Sequence, residues 1–381
     1  MTLTLSASQA RLLRLQAQRL LPAGPGSPSS PARVLQDVTG VQAQDLPAAL
    51  LSIRARSTGL TASALQQARQ EERSIVWTWC MRGTLHLVAA EDARWLLPLL
   101  GPRFIATGRR RFRQLGWDKD RAAAGLQLLQ AALARSDEGL TRPEIVRLLQ
   151  ENDLPAEGQA PFHLLYRAAL EGILCHGAHR EDEATYVLLA EWLGRPQPLP
   201  RQEAVTRLVL RYLQAYGPAT PEDMARWSGL KLGDIRQAWE RLDNQLLPAE
   251  LEGEPAWLLR SHLPRLDEDL ERLAAARPLV CLLPRYDTYL LGYAGRDLAV
   301  EPEHARRVHP GGGIIHPVLL VDGQARGTWK TKQRAVHLEL VLQPFRDLPP
   351  SLLPHVEAEV ADLGRFLEEE VVLTVEDPPT E

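Results

Sequence analysis

Gln42 and Gln44 stand two residues apart in Gly40-Val41-Gln42-Ala43-Gln44, and on extended backbone that spacing turns both carboxamides to one side. They sit just ahead of a helix start. Asp45 reads as its N-cap, with Pro47 in the first turn and LPAALLSIRARS as the helix, whose first amides carry partial positive character. A glutamine carbonyl accepts a hydrogen bond from water and its NH2 donates to an oxygen, but the amide cannot take up a proton as a carboxylate does. Two such groups suit the holding of one water for a reaction whose leaving group departs without protonation. The plainer reading is that both satisfy backbone groups where the helix begins. Asp45 is a rival base next door, although an N-cap carboxylate is tied to backbone amides.

Other polar side chains form looser groups. Arg82 and His86 flank the turn Met81-Arg82-Gly83 and are candidates for touching phosphate; the alternative is that Arg82 braces the turn and His86 is a satisfied, half-buried ring. GPRFIATGRRRFR (101–113) gathers Arg103, Arg109, Arg110, Arg111 and Arg113 with no acid, and RGTWKTKQR (326–334) gathers Arg326, Lys330, Lys332 and Arg334. Interleaved Phe104, Phe112 and Trp329 favour nucleic acid over plain solvated charge. Arg54, Arg285, Asp287 and His316 complete the candidate contact set. Cys175, His176 and His179 have the types of a metal triplet, but on a strand pair neighbouring residues face opposite sides, so no metal is expected. Gly311-Gly312-Gly313 lacks the Lys-Ser/Thr of a phosphate loop and leads into strand.

The elements that must carry these residues repeat. Gly59-Leu60-Thr61, Gly139-Leu140-Thr141 and Gly217-Pro218-Ala219-Thr220 each open a short amphipathic helix that leads, through more helix, to an alternating strand pair. That is the pattern of tandem winged helices, and three in one chain suggest the enclosing of a duplex. Thr61 caps ASALQQARQEE; SIVWTWC and TLHLVA form the first strand pair; Thr141 with Glu144 makes a capping box for RPEIVRLLQEN. A first helix is expected over 7–21, turn formers over 22–32, and a linker over 193–200. Beyond about 275 strands take over: PLVCLLP, YLLGYAG, IIHPVLLVDGQARGTWKTK and AVHLELVL, with Asp322-Gly323 as a hairpin turn and Val336, Leu338, Leu340 and Leu342 as the inward set. A helix over 350–370 should cover one opening before VVLTVE. The expected architecture is α+β, with three winged-helix modules (1–116, 117–195, 196–273) and a β-barrel-like domain (274–381).

Composition limits the setting. The 381 residues are 45% hydrophobic with net charge −4, so the chain buries a sizeable core and is no general polyanion binder by total charge. Three separated cysteines and no long apolar run point to a reducing cytoplasm, with neither export nor a membrane span.

Gly40–Gln44, WTWCMRGTLHLVAAEDARWLLPLLGPR (77–103) and PRYDTYLLGY (284–293) resemble the AlkZ/YcaQ-like winged-helix DNA glycosylases over nearly the whole length. The resemblance implies a C-shaped assembly of three winged helices and a β-barrel-like domain that removes N7-alkylated purines and, in some members, unhooks interstrand crosslinks. It also implies a catalytic Gln-x-Gln or Gln-x-Asp motif, of which Gln42 and Gln44 match the glutamine variant. N7 alkylation makes the purine cationic, so the base leaves neutral and the protein mainly has to position water, work that neutral amides can do. The expected protein is a monomeric, cofactor-free glycosylase acting on double-stranded DNA with alkylated or crosslinked bases, close to the nucleoid. The alternative is a winged-helix transcription regulator, which would read paired half-sites as a symmetric dimer.

Overall fold

The structure, a computed structural model, describes residues 2–21, 30–181, 183–194 and 199–378. The turn-rich 22–29 and the middle of the expected linker, 195–198, lie outside the described residues. Among the described residues three sheets organise the chain. The strand pair Ile75–Trp79 and Leu85–Ala89 and the later pair Leu174–Arg180 and Glu183–Leu188 belong to one six-stranded sheet, joined where Trp77 pairs with His176. The third pair, Leu246–Leu251 and Glu254–Leu259, takes the N-terminal strand Leu3–Leu5 as a parallel partner. No spacing rule in the sequence announces either long-range pairing.

The helices follow their caps. Asp45 Oδ1 accepts from the amide of Ala48 at 3.1 Å and Thr61 Oγ1 from that of Ala64 at 3.2 Å, starting Leu46–Arg54 and Ala62–Gln70. Glu144 accepts from the backbone and hydroxyl of Thr141 and sets Arg142–Glu151. Between them runs the 25-residue helix Ala90–Gln114, which ends in the arginine cluster. One apolar cluster runs through all three units, from Val76 and Leu96 through Leu164 and Leu208 to Trp227 and Leu246. The units therefore share a core.

After residue 279 an open five-stranded sheet curls into a half-barrel, in the order Val280–Leu283, Val318–Val321, Gln324–Gln333, Leu338–Pro344, Val371–Val375. Its side chains alternate between two buried faces. Leu282, Leu319, Leu340 and Leu342 pack on the helix Leu353–Leu367, whereas Cys281, Leu283, Val318 and Leu320 pack with Leu12 and Leu15 of the first helix, Ala7–Ala17. The sheet does not close into a barrel.

Four sequence expectations change. Turn chemistry does not fill 22–32, because Ser30 caps a helix, Pro31–Val38, with Pro31 at its first position. YLLGYAG is no strand: Asp287 caps a short helix, Thr288–Leu291. Val336 is 82% exposed, since it lies in the turn beyond the sheet rather than on its alternating face. The Asp322-Gly323 turn is a hairpin as expected, but it is packed against the body: Asp322 Oδ1 accepts from the Leu279 amide at 2.9 Å, and a Cβ on Gly323 would lie 2.7 Å from Tyr289 Oη and 2.8 Å from Arg11 Cβ. The exposed turn is that of the next strand pair, Gln324–Gln333 with Leu338–Pro344, around Arg334 and Val336.

Candidate active site

The helix Pro31–Val38 stops at Thr39 (φ 57°) and Gly40 (φ 90°), both left-handed, and the chain drops at once into the two-residue strand Val41–Gln42. Only glycine fits the second position. Its φ is one that L side chains avoid, and a Cβ there would lie 2.8 Å from Val88 Cγ1 and 3.0 Å from the Leu87 carbonyl oxygen. Val41 and Gln42 pair with Leu87 and His86; the Ala43 amide donates to Leu85 O at 2.7 Å, and Trp77 Nε1 donates to Ala43 O at 3.0 Å. The backbone between the glutamines is thus fixed on both sides.

The two side chains meet. Gln42 Nε2 donates to Gln44 Oε1 at 2.9 Å, and Gln42 Oε1 accepts from Arg82 Nη2 at 2.6 Å. Gln42 is buried and Gln44 is exposed, so the pair runs from the interior to the surface. Asp45 Oδ2 faces Arg285 Nη1 at 3.3 Å, and its other oxygen caps the helix, which leaves that carboxylate engaged on both sides.

One residue beyond Gln44 a groove of about 830 Å3 opens between the start of Leu46–Arg54 and the half-barrel. Asp45, Pro47 and Ala48 line one wall; Arg285, Arg306, Arg307, His316, Trp329 and Lys330 are on the other. Four fixed cations against one acid suit a phosphate backbone. Arg306 and Arg307 escape sequence reasoning, although the run His304-Ala305-Arg306-Arg307 ahead of the glycines carries the signal.

The remaining expected contacts divide. Arg285, His316 and Lys330 reach the groove. Arg109 and Arg110 are exposed at the end of the long helix, without a carboxylate partner among the described residues, and Lys332 is exposed on the same face of its strand as Lys330. Arg326 lies elsewhere, 3.5 Å from Glu301. Three assignments are corrected. Arg54 is 2% exposed and spends its guanidinium on Glu359, Asp362 and Leu282 O, so it ties the helix after the glutamines to the half-barrel instead of touching DNA. Asp287 is buried in a two-pronged pair with Arg56, both bonds 2.8 Å, and lines no surface. His86 is buried with its Nδ1 against Thr84 O at 2.9 Å; burial, helped by the charge of Arg82, pushes its pKa down to about 3, so it stays neutral.

The side chains of Cys175, His176 and His179 are engaged separately. Cys175 is buried, His176 stacks on Trp77 with ring centroids 4.1 Å apart, and His179 Nδ1 faces the Arg69 guanidinium at 3.0 Å. Among the described residues one carboxylate cluster, Glu301, Glu303 and His304, has ligand spacing, but Arg326 and Arg346 already pair with its acids.

The family model for AlkZ-like DNA glycosylases matches residues 35–366. The chain belongs to the AlkZ-like DNA glycosylases. An interstrand DNA cross-link repair glycosylase of Streptomyces sahachiroi is 31% identical over 372 residues, 92% of this chain and 94% of the relative. The solved structure of the Streptomyces sahachiroi DNA glycosylase AlkZ superposes with a TM-score of 0.80 at 27% identity, covering 98% of this chain and 100% of that one. With family membership the regulator alternative falls away, and the glycosylase shares the mixed α+β fold of that structure. Among the described residues, no helix of the glycosylase is long and apolar enough to cross a membrane.

Proposed function

We propose that this glycosylase hydrolyses the N-glycosidic bond of N7-alkylated purines in duplex DNA, with Gln42 and Gln44 positioning the water. The observation that carries the reading is the linked carboxamide pair, buried at Gln42 and exposed at Gln44, with the next residue, Asp45, lining a groove shared with Arg285, Arg306, Arg307 and Lys330. As the cationic purine departs, the bonding electrons go to its ring and it leaves neutral, so no protein acid is required. The sugar gains oxocarbenium character, and a water held on Gln44 Oε1 adds to its anomeric carbon. Neither amide can keep a proton, so the one released passes to solvent. Ordinary nucleosides, whose base leaves as an anion unless protonated, are spared.

The reading includes interstrand crosslinks as substrates, which is what the name of the Streptomyces sahachiroi relative says of that protein. It also takes the three helix-and-strand-pair units, divided near 116 and 195 and ending near 273, as winged helices that curve with the half-barrel around a duplex, the glycosylase acting as a cytoplasmic monomer without a cofactor. Incubation with a duplex bearing one N7-methylguanine, and separately with a crosslinked duplex, should leave alkali-labile abasic sites in both. Intact strands after alkali treatment of the methylated duplex would refute the reading.

A further inference from the structure

We infer that Arg82 is a positioning residue of the water-holding pair: it fixes which way the Gln42 carboxamide points and, through it, which groups Gln44 turns to the substrate. This rests on the proposed role of the two glutamines.

Hydrogen-bond chemistry fixes the orientation of both amides. A guanidinium only donates, so the Gln42 atom 2.6 Å from Arg82 Nη2 must be the oxygen. Gln42 Nε2 is then the atom facing Gln44 at 2.9 Å, and what it meets must be Gln44 Oε1. One choice made at Arg82 therefore sets both amides. Gln44 is left with a second lone pair on Oε1 for a water proton and its whole NH2 group for a sugar or phosphate oxygen. Donor and acceptor chains of this kind polarise one another, so the charge on Arg82 sharpens the outward NH2 of Gln44 as a donor.

The placement of Arg82 is over-determined. Its backbone takes φ 54°, unusual for a residue with a side chain, and Gly83 follows at φ 69°, where a Cβ would lie 2.4 Å from Tyr166 Oη. Nη1 donates to Trp227 O at 2.6 Å, on the last turn of the helix Pro221–Ser228, where the partial negative end of that helix favours a cation. Burial pulls the Arg82 pKa down to about 10, which leaves it charged at neutral pH. Reaching the substrate through two neutral amides also keeps a full positive charge away from a purine and a sugar that are themselves cationic during the reaction. Arg82 is thus removed from the set of DNA contacts.

The test combines single-turnover excision with DNA affinity in the full-length protein, using a duplex with one N7-methylguanine. Arg82→Met should excise about tenfold or more slowly with unchanged Kd and unchanged salt dependence, and Arg82→Lys should recover part of the rate. The double variant Arg82→Met/Gln42→Ala should be no slower than Gln42→Ala alone, because both break one chain. Gln42→Glu, which still accepts from Arg82 but has no NH2 for Gln44, should be as slow as Gln42→Ala and carries the test should Arg82→Met fail to fold. The inference is overturned by wild-type excision in Arg82→Met or Gln42→Glu, by additive losses in the double variant, or by weaker binding with a flatter salt slope. Slow Gln42→Ala and Gln44→Ala beside a wild-type Arg82→Met would overturn it alone; wild-type rates in both alanine variants would remove the glutamine reading beneath it as well.

Discussion

At the scale of single residues the site works by orientation, and burial holds the titratable groups packed around Gln42 out of the physiological range. His86 is neutral above about pH 3, Arg82 keeps its charge up to about 10, and the Cys80 thiol next to it is pushed up to about 12 by burial. Tyr216 is displaced upward by burial. The groups around Gln42, His86 among them, should therefore contribute no inflection to single-turnover excision between about pH 6 and 8, where an ordinary histidine titrates. A clear inflection near 6.5 would mean that a histidine takes part in the chemistry. The roles of Gln42 and Gln44 were suggested by spacing and resemblance together; the part of Arg82 was not legible, because nothing in a sequence tells which of several arginines will face an amide 40 positions away.

Secondary-structure elements decide whether the glutamines are aimed at all. Thr39 and Gly40 turn the chain out of one helix and into the strand, so Gly40→Ala should cost about 1–3 kcal/mol in urea melts, through strain at positive φ and the clash with Val88, and should slow excision. Normal stability and activity in that variant would show that the turn has slack. The sheet behind the site holds a second test. His176 is buried against Trp77 with neither ring nitrogen bonded, and burial, then Arg69 and His179, push its pKa down to about 3. Between about pH 6.5 and 3 the unfolded chain binds the extra proton, so the native state loses stability as the solution is acidified. His176→Phe keeps the stacking and removes the linkage, and at pH 5 it should gain about 2 kcal/mol relative to its effect at pH 8. No such pH-dependent gain would mean that the ring finds a proton partner. Elements with a local signature were readable in advance: Asp45, Thr61 and the Thr141–Glu144 box each start the helix they announce. Those that rest on distant partners were not. Trp77 pairs with His176 and Leu3–Leu5 joins Leu246–Leu251 across most of the chain, while Tyr289–Leu291 reads as strand until Asp287 is seen to cap it.

Across the whole molecule, the glutamines sit between bodies that are tied together from behind. Arg54 and Arg56 anchor the end of the helix that follows them to Glu359, Asp362 and Asp287, so its first turn and the half-barrel frame a groove of fixed width. That groove should carry a measurable share of DNA affinity. Replacing Arg306, Arg307 and Lys330 together with glutamine should weaken duplex binding and reduce the slope of log K against log salt by up to about 0.9 for each phosphate no longer neutralised, with the single-turnover rate at saturating enzyme little changed. An unchanged salt slope would place the DNA elsewhere. Arg306 and Arg307 are adjacent in the sequence, but only the fold brings them together with Arg285 and Lys330 in one groove.

The most direct test of the central claim is single-turnover base release by Gln44→Ala from a duplex carrying N7-methylguanine, measured beside its Kd for the same duplex. A rate at least about tenfold below the parent at equal affinity is the expected result, one positioning interaction being worth a few kcal/mol at most. Release at the parental rate would contradict the claim that this carboxamide holds the attacking water.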